Sequence, residues 1–310
     1  MRIAVTEGVY SNDSYEPSLC TLRDGKTCWT AWATYGAAGS KAFVRRFVGE
    51  TACAIAPLSL NNAMQTRPIC IPNGDEAVFV WLEKTGRRYA FLTRGNGGNG
   101  FTSCRERHIL PASAKVWEPQ ALFDESGVLW ICWAQSEKGE SRIRILRTLP
   151  DGKTSTWSAG DGSRYNYRPR MVEWGSEGVY IVWDSYVDCT YDVYGCAVGP
   201  DGPRKTVRVS CGEGWENRAS LGRDAGGALW AVWVHGVDVM YRRSTLQQMY
   251  SLRGARLDGR EWVPLTGPDG AERGAMRAPT RDAATPSSWP GDPVPGIGNS
   301  IRRAAVAGRP

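Results

Sequence analysis

Tryptophan returns at a fixed interval along this chain. A Trp closes an apolar run at Trp32, Trp81, Trp133, Trp183 and Trp233, so successive copies stand 49 to 52 residues apart. A chain that repeats itself every fifty residues or so buries its core by stacking one supersecondary unit on the next, which excludes most other folds at once. Upstream of each Trp a charged residue precedes a proline, as Glu16-Pro17, Arg67-Pro68, Glu118-Pro119 and Arg168-Pro169, with Arg218-Ala219 in the fifth copy. Between these landmarks lies a turn signal: Asp24-Gly25, Asn73-Gly74-Asp75, Asp124 to Gly127, Gly175 to Gly178 and Asp224 to Gly227. Each copy therefore reads as a strand, a tight turn and a strongly apolar strand.

Downstream come a third strand, such as Ser141–Arg147 or Tyr191–Tyr194, a turn at Pro150-Asp151-Gly152 or Pro200-Asp201-Gly202, and a fourth strand such as Lys205–Ser210. Four antiparallel strands in about fifty residues is the arithmetic of one β-propeller blade. The second strand is apolar on both alternating faces, with Leu129, Ile131 and Trp133 against Val128, Trp130 and Cys132. Such a strand is sandwiched between neighbouring sheets. The 14 Trp and 36 Gly, against 2 His, agree with many short strands and tight turns. The regular Trp are read as packing between blades rather than as a sugar-stacking array. The expected fold class is all-β: a β-propeller of four-stranded antiparallel blades, with five recognisable blades and an incomplete sixth.

Two irregularities matter. The Asp-Gly turn follows the closing Trp by 18 residues in copies three and four (Asp151, Asp201) and by 25 in copy five (Asp258). This predicts an insertion of about seven residues between the second and third strands of copy five, within His235–Thr245. Lengthened loops on a regular scaffold often carry binding function, and a plain surface loop is the alternative. At the ends, Arg2–Thr6 reads as a fourth strand, while Met276-Arg277-Ala278-Pro279 begins a sixth inner strand that no Trp-closed strand follows. The expected division is a propeller domain over 1–268 and a Gly/Ala/Pro/Arg-rich tail over 269–310, either a linker or a degenerate or truncated sixth blade.

With the unit written as Arg/Glu-Pro, an Asp/Gly turn, a Trp-closed strand and a later Tyr-Asp-Val-Tyr, the chain resembles bacterial β-propeller repeats of the sialidase-like and TolB-like kind. Tyr167–Arg170 through Trp183–Tyr186 and Tyr191–Tyr194 carry the likeness, which covers roughly residues 2–266. The resemblance implies architecture more than activity, since such propellers include enzymes, lectin-like binders and docking scaffolds. A sialidase would further imply an arginine triad, a Tyr–Glu nucleophile pair, an Asp acid/base and Ser-x-Asp-x-Gly-x-x-Trp boxes. Asp24–Trp29 and Asp151–Trp157 fail that box spacing and are read as hairpin turns.

Chemistry is expected where inner strands line the central channel. The residues before each proline fall at equivalent places there: Glu16, Arg67, Glu118, Arg168, Arg218 and Arg277. Alternating Glu and Arg suits ion pairs between blades, whereas Arg168, Arg218 and Arg277 in succession suit an arc for a carboxylate, sulfate or phosphate. A second set follows the closing Trp by two residues, at Thr34, Glu83, Gln135, Ser185 and His235. With this set on the same face, Asp184, Glu83 and Tyr186 are the candidates for acid, base or nucleophile in glycoside chemistry. Neither His108 nor His235 lies in a motif with a Ser or Cys nucleophile, which argues against a Ser/His/Asp hydrolase. No spacing of Cys, His or carboxylates suggests a zinc or calcium site, no cofactor motif is present, and Arg94–Gly100 reads as a flexible inter-strand loop rather than a phosphate cradle. Of the 9 Cys, Cys189, Cys196 and Cys211 are the candidate disulfide partners, being close in sequence around one hairpin.

The net charge of +6 is spread among acids, which argues against a nucleic-acid surface. The longest apolar runs are far too short for a membrane span. Residues 1–20 do not form a secretory signal as they stand, so the protein is extracytoplasmic only if its N-terminus is incomplete. The expected function is a binding module that recognises a carbohydrate, an anionic ligand or a protein partner at the channel face. The alternative is a sialidase-like glycoside-processing enzyme, and a third class is an assembly scaffold.

Overall fold

Each of the five copies folds into one antiparallel sheet in a computed structural model that describes residues 14–36, 39–97, 100–210, 212, 214–241 and 245–265. Blade 1 comprises Ser14–Thr21, Thr27–Gly36, Gly39–Val48 and Thr51–Pro57. Blade 2 comprises Met64–Asn73, Glu76–Thr85 and Arg88–Gly97, its outer edge shared by Gly100–Phe101 and Arg105–Leu110. Blade 3 runs through Lys115–Phe123, Leu129–Glu137, Glu140–Thr148 and Thr154–Ala159. Blade 4 has Asn166–Glu173, Val179–Val187 and Thr190–Gly199, with Gly202–Pro203 and Val207–Arg208 sharing its outer edge. Blade 5 has Trp215–Arg223, Leu229–Tyr241, Thr245–Asp258 and Glu261–Pro264. The expected five blades are therefore present. The expected tail, the strand at Arg2–Thr6, the sixth inner strand with Arg277, and Cys211 lie outside the described residues.

Packing explains the sequence pattern. Trp81, Trp133 and Trp183 are wholly buried, and each reaches back into the core it shares with the preceding blade, as Trp233 does with blade 4. The residues just before them, Val80, Cys132 and Val182, point the other way and are buried against the following blade. Their equivalent in blade 5, Val232, is 46% exposed, and its neighbour Leu252 is 49% exposed. Among the described residues there are four apolar cores, one between each consecutive pair from blade 1 to blade 5.

The insertion in copy five extends a hairpin. Its second and third strands run for 13 and 14 residues, against 9 and 10 in blade 4. Two inner turns share a device that the sequence reading passed over. Asp124 accepts from the backbone N–H of Ser126 and Val128 while its Oδ2 takes the Trp130 indole at 2.8 Å; Asp224 does the same with Gly226, Ala228 and Trp230. The pattern Asp-x-x-Gly-x-Leu-Trp carries it, with Gly127 and Gly227 at φ 73° and 83° where a side chain is strained. The disulfide expectation is corrected. Cys189 is an exposed residue of the blade 4 hairpin, whereas Cys196 is buried in the core with blade 3, and neither is bonded.

Candidate functional site

The charged residue and the one after it, proline in four repeats and Ala219 in the fifth, form a β-bulge in the inner strand. Pairing with the second strand slips between Tyr15 and Ser18, Thr66 and Ile69, Trp117 and Gln120, Tyr167 and Arg170, and Asn217 and Ser220. Each slip sets two residues opposite the single closing Trp. Proline suits the second of these because it has no N–H to leave unpaired where the ladder is broken. The first residue pays with its backbone: Glu16, Arg67, Glu118, Arg168 and Arg218 all have φ between 42° and 56°, a left-handed conformation costing roughly 1–2 kcal/mol for a side-chain-bearing residue. Five residues in this conformation at one repeat position show that the bulge is a regular feature of the inner strands.

These side chains meet in a charge relay around the mouth. Glu16 accepts from the Arg67 backbone N–H at 2.7 Å and pairs with its guanidinium at 3.3 Å. The Arg67 guanidinium also lies over the Trp117 ring, 5.7 Å from its centroid. Glu118 pairs with Arg170 at 3.1 Å and Arg168 at 3.7 Å, and Arg168 donates to Asp184 at 2.9 Å. Asp184 in turn accepts from the Arg218 backbone N–H at 2.9 Å. The expected inter-blade ion pairs are thus formed, and Arg168 is not part of a surplus positive arc. Arg218 is exposed and has no ion pair among the described residues.

Asp184, a candidate acid or base, is fully buried. Burial pushes its carboxyl above the usual range, against the opposing pull of the Arg218 N–H and the Arg168 guanidinium. Its place is behind the mouth, where it ties blade 4 to blade 5. Glu83 is also buried, held by the Asn61 amide at 2.7 Å and the Trp81 indole at 3.2 Å on blade 2, so the three candidates for catalysis do not converge. Tyr186 is exposed, beside Tyr165 and Tyr191, and Cys189 next to it pushes the phenol up, opposite to what a phenolate nucleophile needs. His235 is buried 3.6 Å from Glu216, which also takes the Trp233 indole and lies 3.5 Å from Arg253. That polar cluster, with Asp192 and Arg208 paired at 2.6 Å nearby, belongs to the packing of blades 4 and 5. Thr34 and Ser185 are buried as well.

What the sequence reading missed is aromatic. Trp117, Tyr167 and Tyr191 line a cavity of about 230 Å³ together with Glu118 and Arg168. Tyr165 stacks on Tyr167 with ring centroids 6.5 Å apart, and Tyr186 lies 4.9 Å from Tyr191, so the aromatic surface continues along blade 4. Trp117 and Tyr165 are 45% and 38% exposed. Glu118 also lines a second cavity of about 350 Å³ inside the channel, with Glu16, Arg67 and Arg170. The signal was legible: the residue before the charged one is Tyr15, Trp117 or Tyr167 in three of the five copies. Among the described residues no group of three or more His, Cys, Asp or Glu is placed to hold a metal ion, and no helix is long and apolar enough to cross a membrane.

The described residues form a β-propeller of five blades, and solved structures share the propeller fold. The α-L-arabinanase of Penicillium chrysogenum, solved with arabinobiose, matches at a TM-score of 0.57 and 10% identity over 85% of this chain and 83% of that one. A Dyadobacter fermentans protein of unknown function matches at 0.50 and 10% over 77% and 76%. The polysaccharide lyase Uly1 matches at 0.52 and 8% over 78% of this chain and 58% of that one. At such identities the likeness is one of fold. No protein-family model matches the chain, and no curated protein matches it.

Proposed function

We propose that the channel mouth binds a carbohydrate chain. The observation that carries this is the meeting of Trp117, Tyr167 and Tyr191 with Glu118 and Arg168 around one cavity. Aromatic planes offer an apolar face to the C–H side of a sugar ring, and a carboxylate and a guanidinium fixed beside them offer acceptors and donors to its hydroxyls. Because Glu118 and Arg168 already neutralise one another, the cavity suits a neutral sugar, and Arg218 is the group left for a uronic or sialic carboxylate.

The second reading is that the bound glycoside is cleaved. It is favoured by Glu16 and Glu118 lining one cavity, since glycoside hydrolysis uses two carboxylates across the scissile bond. Proteins named as an arabinanase and a polysaccharide lyase share the fold, which agrees with a sugar-acting role.

The test is to incubate the folded protein with arabinan, other neutral, uronic and sialylated oligosaccharides, and to read retained and released sugars by mass spectrometry. Retention lost at least about tenfold in Trp117→Ala is expected. Released products that disappear in Glu118→Gln establish cleavage, while retention without release establishes binding alone. A folded protein that retains and releases nothing across the panel overturns both readings.

A further inference from the structure

Blades 1 and 2 bring two thiols together at the heart of their shared core. Cys20 lies on the inner strand of blade 1 and Cys70 on that of blade 2; both are free thiols in the structure, and their Sγ atoms are 2.6 Å apart. That separation is within roughly 0.6 Å of a disulfide bond of ~2.05 Å. We propose that Cys20 and Cys70 form a disulfide that staples blade 1 to blade 2.

Three observations support the bridge. Both residues are buried, Cys20 at 7% and Cys70 at 4%, and both belong to the core built with Leu22, Trp29, Phe79 and Trp81. The two strands are also locked in register on either side of the sulfurs: the Cys70 backbone N–H donates to Ser18 Oγ at 3.0 Å, and the Arg67 N–H donates to Glu16. Finally, among the described residues the other buried cysteines, Cys132 and Cys196 in the core between blades 3 and 4, make no sulfur–sulfur contact. The pair stands just below the channel ring, so a covalent link there would fix Glu16 against Arg67.

The chemistry is thiol–disulfide exchange with a small-molecule disulfide as the oxidant. One cysteine thiolate attacks that reagent and releases a thiol. The second cysteine then attacks the mixed disulfide and releases another, so the protein loses two hydrogens and the reagent gains two. Burial in the finished core places this step during folding, before the two blades close.

The full chain would be refolded with oxidised or with reduced glutathione, alkylated in denaturant and mapped by mass spectrometry. After oxidising refolding, the Cys20 and Cys70 peptides should be joined, with the protein two hydrogens lighter. Closing a loop of this length should raise the melting temperature by roughly 5–15 °C over the reduced form. Cys20→Ala and Cys70→Ala should each lose the bridge and the oxidant-dependent shift, and wild-type protein compared with itself under the two conditions keeps the test valid if either variant folds poorly. Full alkylation of both thiols after oxidising refolding, or bridging of either one to another cysteine, overturns the proposal.

Discussion

Repeat-equivalent residues with different burial allow a direct test of where blade 5 stands in the stack. Val182 and Val232 both immediately precede a closing Trp, and both face the position of the next blade. Val182 is wholly buried against blade 5, whereas Val232 is 46% exposed. Val182→Ala removes about two methylene equivalents, worth roughly 1.6 kcal/mol at ~0.8 kcal/mol each, and leaves a cavity on top, for a loss of about 2–3 kcal/mol. Val232→Ala should cost under ~1 kcal/mol, because the side chain is already half in water. The strand preference lost in the two changes is the same and cancels in the comparison. For a chain of this size 1 kcal/mol moves the melting temperature by about 2–4 °C. Val182→Ala should therefore melt roughly 4–12 °C lower and Val232→Ala less than about 4 °C lower, by calorimetry or circular dichroism. Equal losses would refute the reasoning, since they require the outer face of blade 5 to be covered in solution.

Asp184→Ala strips the acceptor from Arg168 and from the Arg218 N–H in a buried place, which should cost about 3–5 kcal/mol in urea unfolding; a loss under ~1 kcal/mol would sink that account. Burial raises the folded pKa of Asp184 above its ordinary 3.8, so its stabilising contribution is full below about pH 4 and declines as pH rises through the raised value. Wild type minus Asp184→Asn should therefore lose stability with rising pH across that window, and a difference that grows instead contradicts it. Asp124→Ala should cost about 1–2 kcal/mol, and Asp124→Ala and Asp224→Ala should shift the fluorescence of Trp130 and Trp230 respectively, because each removes the acceptor of an indole; unchanged spectra would show that the indole is not held there.

The period of the Trp, the Pro upstream and the Asp/Gly turns determined the blades by themselves, because strand alternation and turn chemistry are local and a fifty-residue repeat states them five times. Even the role of the closing Trp was legible, since a strand apolar on both faces can only sit between two sheets. Only the tertiary structure decided how the two landmarks are related: the charged residue and its proline form a bulge facing the Trp, and a register slip leaves no mark in composition. It also decided which charges are neutralised. Arg168 looked like one member of a positive arc in the sequence, and it is the partner of Glu118 on the adjacent inner strand of blade 3 and of Asp184 on the second strand of its own blade. The pairing of Cys20 with Cys70, fifty residues apart, and the gathering of Trp117 with Tyr167 and Tyr191 have the same origin. Proximity across a blade interface depends on how sheets stack, and stacking is a property of the assembled core rather than of any one stretch of chain.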